Sequence, residues 1–295
     1  MPRARIGDVD IEYEVTGPAD GEPMLLIMGL GAQLTSWSET LKDGLIERGF
    51  RLICFDSRDC GLSTHLDAAG FPDFDAIEHA LANGTPPPVA YGLNDMARDA
   101  VGLLKALDIE KAHVLGTSMG GMISQLLAAE FPDHVLSLTA MMCPSHVGKP
   151  DAASLKVMAA PPAPGVTLEM IAETAATFML PMASPGFPTT VERLAAAMLK
   201  TYRRSYYPEG FVRQTAAAYA DSSRVARLGD IKAPTLILHG EADMLAPVEG
   251  ARQMAEAIPN SQLETIPAWG HDMPADLMPT LVEHIARNAR RAVTV

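Results

Sequence analysis

The sequence predicts an α/β fold in which helices flank a mostly parallel sheet and a helical cap is inserted late in the chain. Three observations lead to this prediction. Short, continuous apolar runs alternate with stretches of helical spacing from residue 24 onward. A Gly-x-Ser-x-Gly turn centred on Ser118 joins one of these runs to a helix. Between residues 146 and 229 the strand pattern stops, and prolines punctuate Ala- and Met-rich helical pieces.

Composition limits the class of protein. The chain has 295 residues, 48% of them apolar, which is enough for a sizeable buried core. Its formal net charge of -13 argues against nucleic acid or an anionic membrane surface as the main partner. No apolar run suits a signal peptide or a membrane-spanning helix, so no membrane insertion is expected. The cysteines, Cys54, Cys60 and Cys143, are odd in number and scattered, which favours reduced thiols and a cytoplasmic location.

The first half of the chain predicts an antiparallel ribbon followed by alternating strands and helices. The expected elements are ribbon strands at residues 5–6 and 11–15, buried strands at 24–28 and 51–55, a helix at 36–48 with Ser36 as its N-cap, and an amphipathic helix at 94–107. Residues 65–91 are predicted to form an irregular insertion with about one helical turn. A strand at 113–115 then enters the Ser118 turn, and the following helix ends near Pro132.

The second half predicts the cap and the return to the sheet. A strand is expected at 135–141, and after the cap the pattern resumes with a strand at 233–239, a helix at 248–258, a strand at 262–266 and a helix at 280–291. The predicted core domain therefore comprises residues 1–145 and 230–295, and the predicted cap comprises residues 146–229. An ordinary run of surface helices is the alternative to a cap.

The turn at Ser118 has the pattern of a nucleophile elbow. Side chains at Gly116 and Gly120 would collide as the strand folds back beside the helix, and glycine removes that collision. Because the helix begins directly after Ser118, free backbone amides and the positive end of the helix dipole are expected beside the hydroxyl. That environment favours acyl chemistry, in which a negative oxygen develops next to the nucleophile.

A serine nucleophile requires a base and an acid, and both are expected just beyond the carboxyl ends of parallel strands. Asp243 follows the strand that resumes the sheet, and His271 follows the last strand. The order Ser, Asp, His along the chain is typical of one class of hydrolase triad. His239 is the main rival as base, and Asp272 and Glu241 are the rival acids.

The succession of ribbon, Gly-rich loop, elbow, cap, acid and histidine resembles the α/β-hydrolase family over essentially the whole chain. Residues 56–63 carry an R-D-x-G-x-S loop similar to that of the serine esterase branch that includes aclacinomycin methylesterase. The resemblance implies an oxyanion hole made by the backbone amides of Leu30 and Met119. Many relatives have His-Gly where Met28-Gly29 stands here, which leaves open what orients this loop. The Arg58-Asp59 loop is interpreted as a brace for the top of the sheet.

These features predict a serine esterase whose triad is Ser118, His271 and Asp243, acting through an acyl-enzyme. No cofactor is expected, because no G-x-G-x-x-G follows the first strand. No metal is expected either, because no cluster of His, Cys and carboxylates has ligand spacing. The alternatives are a carbon–carbon bond hydrolase or a cofactor-free perhydrolase with the same triad, and a non-catalytic protein that binds a small molecule on the same fold.

The partner expected from the sequence is a small-molecule ester, bound by a monomer or a homodimer. The residues predicted to contact it are Gly29, Met179, Met182, Tyr206 and Trp269. Because the predicted cap is rich in methionine, the substrate is expected to be a hydrophobic ester of medium or bulky size, including macrocyclic and polycyclic natural products.

Overall fold

A computed structural model describes residues 1–294 and gives the bounds of each element within them. The strands are β1 Arg3–Ile6, β2 Val9–Thr16, β3 Glu22–Ile27, β4 Phe50–Phe55, β5 Ala112–Thr117, β6 Val135–Met141, β7 Thr235–Gly240 and β8 Ser261–Ile266. The α-helices are α1 Glu39–Ile46, α2 Phe74–Ala82, α3 Leu93–Ala106, α4 Met119–Glu130, α5 Ala152–Ala159, α6 Leu168–Met179, α7 Val191–Arg204, α8 Pro208–Tyr219, α9 Val248–Ala257 and α10 Met278–Arg290.

The strands form one sheet in the order β1-β2-β4-β3-β5-β6-β7-β8. The pairs β1/β2 and β2/β4 are antiparallel, and every later pair is parallel. The predicted α/β class with an opening ribbon and a mostly parallel sheet is therefore confirmed. Because β5, β7 and β8 run in the same direction, the turns that follow them lie at one edge of the sheet.

The central strands are buried on both faces, as their continuous apolar sequences predict. In β3, Leu25 and Ile27 pack into one core, together with α3, α4 and α9. Met24 and Leu26 point to the other face and pack into a second core with α1 and α10.

Two helices differ from the sequence prediction. The first begins at Glu39 instead of residue 36, because Leu34–Ser36 forms a separate 3₁₀ turn and Ser38 is the N-cap. Residues 65–91 contain more than one helical turn, since α2 is nine residues long. The Asp73 carboxylate accepts hydrogen bonds from two amides in the first turn of α2. The apolar face of α2 packs against α8.

The segment between β6 and β7 consists of helices α5 to α8. The helices α5 and α7 have no buried residue, whereas most of α8 is buried. The helix α8 packs on α2 through Val212 and Ala216, and Ala217 and Ala218 belong to the same core as α3 and α4. This segment therefore contains one helix that is part of the protein interior.

The strand β5 and the helix α4 pass so close to their neighbours that glycine is required at two positions. A methyl group on Gly116 would lie 2.3 Å from the carbonyl oxygen of Gly120. A methyl group on Gly120 would lie 2.1 Å from the carbonyl oxygen of Ile27 in β3. Both obstacles are backbone atoms, which cannot move aside as a flexible side chain can.

We expect Gly120→Ala to lower the free energy of unfolding by about 3 kcal/mol, because the new methyl group overpacks against the β3 backbone. Chemical denaturation followed by circular dichroism measures this change. The matched control is Gly148→Ala, since a methyl group at Gly148 would meet no atom within 4 Å. Equal stabilities of the two variants would contradict the close approach of α4 to β3.

Candidate active site

Ser118 stands at the apex of the turn between β5 and α4. Its backbone has φ 53° and ψ -122°, a left-handed conformation that costs a non-glycine residue about 1–3 kcal/mol. The Ser118 amide donates a hydrogen bond of 2.8 Å to the carbonyl of Met141, at the end of the neighbouring strand β6. The hydroxyl is thus held at the carboxyl edge of the sheet, directly before the first residue of α4.

The structure brings the three predicted side chains together in one hydrogen-bonded chain. His271 Nε2 lies 3.1 Å from Ser118 Oγ, and His271 Nδ1 lies 2.7 Å from Asp243 Oδ2. An ionised carboxylate can only accept, so Nδ1 carries the proton, and Nε2 is the acceptor that faces the serine hydroxyl. These contacts join residues that are 153 and 28 positions apart in the chain.

Asp243 is buried, and its second oxygen is also satisfied. Oδ1 accepts hydrogen bonds of 2.9 and 2.8 Å from the amides of Leu245 and Ala246. These bonds fix the carboxylate in the turn that follows β7, so that Oδ2 remains directed at His271. The buried charge therefore has partners on both oxygens.

The loop that carries His271 is held by the segment between β6 and β7. The His271 amide donates to the carbonyl of Met182 at 2.8 Å, and the Gly270 amide donates to Ser184 Oγ at 2.9 Å. The Ser184 hydroxyl in turn donates to the Asp272 carboxylate. Sequence reasoning missed Ser184, because a single serine in a Pro-rich stretch gives no local signal.

The amides of Leu30 and Met119 are both free to bind an oxyanion. Neither amide donates to an acceptor among residues 1–294. The loop after β3 also lies against the nucleophile, since a methyl group on Gly29 would lie 3.2 Å from Ser118 Cβ. These positions are compatible with the predicted oxyanion hole, in which backbone amides from two loops point to one place.

The rival acids have other partners. Asp272 is bound by Ser184, and burial raises the pKa of its carboxyl group. Glu241 is exposed and accepts a hydrogen bond from Thr265 Oγ1 at 2.8 Å. Among the described residues, the histidine ring is bonded to neither of them, so the geometry favours Asp243.

The residues predicted to contact substrate are placed differently from one another. Met179, Met182 and Tyr206 are half-buried in the segment between β6 and β7. Trp269 corrects the prediction, because its side chain is fully buried in the core with α1 and α10 and donates from Nε1 to the carbonyl of Asp272 at 2.8 Å. Trp269 supports the histidine loop through this hydrogen bond, and its side chain has no exposed surface that a ligand could contact.

The Arg58-Asp59 loop matches its interpretation as a brace. Arg58 forms two hydrogen bonds with the Asp99 carboxylate of α3, at 2.6 and 2.7 Å. Asp59 receives two from Arg213 of α8, at 2.8 and 3.0 Å. Both ion pairs are buried and bidentate, so they tie this loop to two helices.

Residues 22–276 match the model of the family described as the alpha/beta hydrolase fold. The chain belongs to the α/β hydrolase family. This confirms the resemblance predicted from the sequence and agrees with the observed order of strands.

Two curated relatives and one solved structure are similar to this α/β hydrolase over most of its length. A protein of Variovorax paradoxus with the provisional name carbamate hydrolase RutD is 30% identical over 264 residues, covering 88% of this chain and 89% of the relative. Rhodomycin D methylesterase DnrP of Streptomyces peucetius is 27% identical over 296 residues, covering 93% of each chain. The crystal structure of an enol-lactonase from Burkholderia xenovorans LB400 superposes with a TM-score of 0.72 at 20% identity and covers all of both chains.

Residues 1–294 of this α/β hydrolase contain neither a metal-ligand cluster nor a membrane-spanning helix. No group of three or more His, Cys, Asp and Glu side chains there could hold a metal ion. No helix in that part of the chain has the length and apolar character needed to cross a membrane.

The third rival, His239, is a fully buried base next to the acid. Its Nε2 donates to the carbonyl of Ala246 at 2.6 Å and lies 3.7 Å from Asp243 Oδ2. Desolvation lowers the pKa of this imidazole below its ordinary value of about 6.5. His239 therefore stays neutral near neutral pH and steadies the turn that holds Asp243.

We expect His239 to make the folded protein less stable as the pH falls. The unfolded state takes up a proton near pH 6.5, whereas the folded state does so only at lower pH, so stability is lost as the pH falls through about 6.5. His239→Gln, which keeps an amide donor for Ala246, should reduce the difference in Tm between about pH 7.5 and about pH 5.5. An unchanged difference would show that His239 does not carry this shift.

We expect the cysteines to be unreactive in the folded protein, because all three are buried. Burial raises the pKa of Cys54 to about 12 and that of Cys143 to about 11, and it also raises the pKa of Cys60. Ellman's reagent should therefore label the native chain at less than about 1% of the rate measured in guanidinium chloride. Rapid labelling of one thiol in native protein would contradict the burial of that cysteine.

Proposed function

We propose that this α/β hydrolase cleaves carboxylic esters through a triad of Ser118, His271 and Asp243. The observation that carries the proposal is the continuous hydrogen-bonded chain from the buried Asp243 carboxylate through His271 to the Ser118 hydroxyl. The relative named as a methylesterase supports an ester as the substrate.

In acylation, His271 Nε2 accepts the proton as Ser118 Oγ attacks the ester carbonyl. Asp243 holds the imidazole in the tautomer that leaves Nε2 unprotonated and stabilises the positive charge that then develops. The amides of Leu30 and Met119 donate to the oxyanion, and the start of α4 adds its positive dipole. His271 next protonates the alcohol, which leaves.

In deacylation, His271 takes a proton from a water molecule that attacks the acyl-enzyme, and the acid is released as Ser118 regains its proton. The same two amides stabilise the second tetrahedral oxyanion. One set of groups therefore serves both halves of the reaction.

We also propose that residues 146–229 act as a cap that determines which ester enters. Its half-buried Met179 and Met182 are apolar, and the backbone of Met182 contacts the histidine loop directly. A hydrophobic ester of medium or bulky size suits such a site, because its apolar surface is removed from water there. Tyr206, in the short link between α7 and α8, is proposed to lie at the polar rim.

Ser118→Ala should lower kcat/KM for activated esters by roughly 10⁴-fold or more, because it removes the nucleophile without changing the backbone strain at this position. Asp243→Asn should lower it by about 10⁴-fold, because the amide favours the wrong tautomer of His271. Glu241→Gln is the matched control and should keep wild-type activity, since Glu241 is exposed and its side chain bonds only to Thr265 among the described residues.

The measurement is steady-state hydrolysis of p-nitrophenyl and methyl esters of varied acyl length and ring size. Mass spectrometry after treatment with an activated phosphonate should place the adduct on Ser118. Release of an alcohol and an acid, lost in Ser118→Ala, supports the esterase. Ketone cleavage or peracid formation in its place would support the other hydrolases, and binding of these esters without turnover would support a binding protein.

A further inference from the structure

The loop that carries Leu30 is a tight turn with little intrinsic preference for one conformation. The Ala32 amide donates to the carbonyl of Gly29 at 3.2 Å, and Gly31 has a left-handed φ of 66°. Glycine on both sides of Leu30 leaves the neighbouring peptide planes free to rotate. The proposed oxyanion donor therefore needs a contact from outside the turn to hold its direction.

Gln214 of α8 provides such a contact. Its Oε1 accepts a hydrogen bond of 2.8 Å from the Gly31 amide, and its Nε2 donates to the carbonyl of Arg58 at 2.8 Å. Only 1% of Gln214 is exposed. A reversed amide would direct its donors at the Gly31 N–H and its acceptor at the Arg58 carbonyl, so the observed orientation is enforced.

The residues around Gln214 are held in place by buried ion pairs. The Arg58 side chain is bound to Asp99 of α3, and the adjacent Arg213 is bound to Asp59. Phe211, one turn earlier on α8, lies over the same glycine, since a methyl group on Gly31 would lie 2.5 Å from Phe211 Cδ2. Phe211 and Gln214, three residues apart on α8, therefore both contact the Leu30 turn, the first by packing and the second by a hydrogen bond.

Other contacts hold the loop farther along the chain. The Leu34 amide donates to Asp56 Oδ1 at 2.8 Å, and Gln33 Nε2 donates to the carbonyls of Thr201 and Ser205 at the end of α7. Gln214 instead binds the peptide directly after Leu30. Because the Gly31 amide is occupied, it cannot compete with the Leu30 amide for the oxyanion.

We propose that Gln214 is a positioning residue that holds the Leu30 amide in place by fixing the Gly31 peptide, so that the buried helix of the inserted segment completes the oxyanion hole. This role rests on the proposed serine esterase mechanism. It accounts for the orientation of the Gly29-Leu30-Gly31 turn, which has little conformational preference of its own. The group acts through the backbone and does not touch the substrate.

The primary test is Gln214→Met, which removes both polar contacts with little change in length. We expect kcat to fall by roughly 10²-fold for a p-nitrophenyl ester, because one oxyanion donor is misplaced, whereas KM changes by less than about threefold. The rate of inactivation by a p-nitrophenyl phosphonate should fall in parallel with kcat, since its tetrahedral oxygen occupies the same hole.

Gln214→Glu distinguishes an effect on the position of the Leu30 amide from an effect on the stability of the fold. The glutamate keeps an acceptor for Gly31, so it should retain more kcat than Gln214→Met, although a buried carboxylate beside the Arg58 carbonyl should lower Tm more. The expected orders of kcat and Tm are therefore opposite. If kcat follows Tm across the two variants, the positioning role is wrong.

Thr215→Val is the matched control, because Thr215 is buried on the same helix and its hydroxyl donates only to the carbonyl of Phe211 among the described residues. It should keep kcat within about twofold of the wild type. Should Gln214→Met fail to fold, Gln214→Asn replaces it, since the shorter amide cannot reach Gly31 and Arg58 together. Activity that requires Ser118 but is unchanged in the Gln214 variants overturns this inference alone, whereas activity that survives Ser118→Ala overturns the esterase itself.

Discussion

The left-handed backbone at Ser118 is the constraint on which the site depends. A serine adopts φ 53° only where its surroundings compensate for the strain. Here the amide of Ser118 is bound by β6, and glycines on both sides allow α4 to approach β3 at backbone contact. The same approach places the start of α4 beside the Gly29-Leu30 turn, so one steric requirement sets both the nucleophile and its candidate oxyanion donors.

The other two members of the proposed triad are positioned by the sheet. Asp243 and His271 follow β7 and β8, which pair in parallel over their whole length, so both turns emerge at the same edge as Ser118. Strand pairing sets these positions only to within a few ångströms. Hydrogen bonds then refine them, through the amides after Asp243 and through the Met182 and Ser184 contacts of the histidine loop.

The sequence predicted the sheet, the family and the candidate triad because each leaves a local signal. Buried parallel strands are continuous apolar runs, and the turn at Ser118 requires glycines at set spacing. The contacts that hold the loops leave no such signal, since Gly31 and Gln214 are 183 residues apart and a buried glutamine has no pattern of its own. The prediction that Trp269 contacts the substrate was wrong for a related reason. An aromatic side chain close in sequence to the histidine of a triad can face either the core or the ligand, and only packing decides which.

The inserted segment is not uniform in its attachment, and this bears on how a substrate could enter. The helices α5 and α7 bury no residue, and α6 buries only two alanines, whereas α8 is mostly interior and grips the Leu30 turn. Local opening requires least free energy where few apolar contacts are broken. Because α5 packs Leu155 and Met158 against the core shared by α2 and α8, this favours movement of α6 and the first turns of α7. Entry by that route would leave Gln214 and Phe211 in place. The conformation of α6 and α7 could then adjust to different substrates while the geometry around Ser118 is preserved.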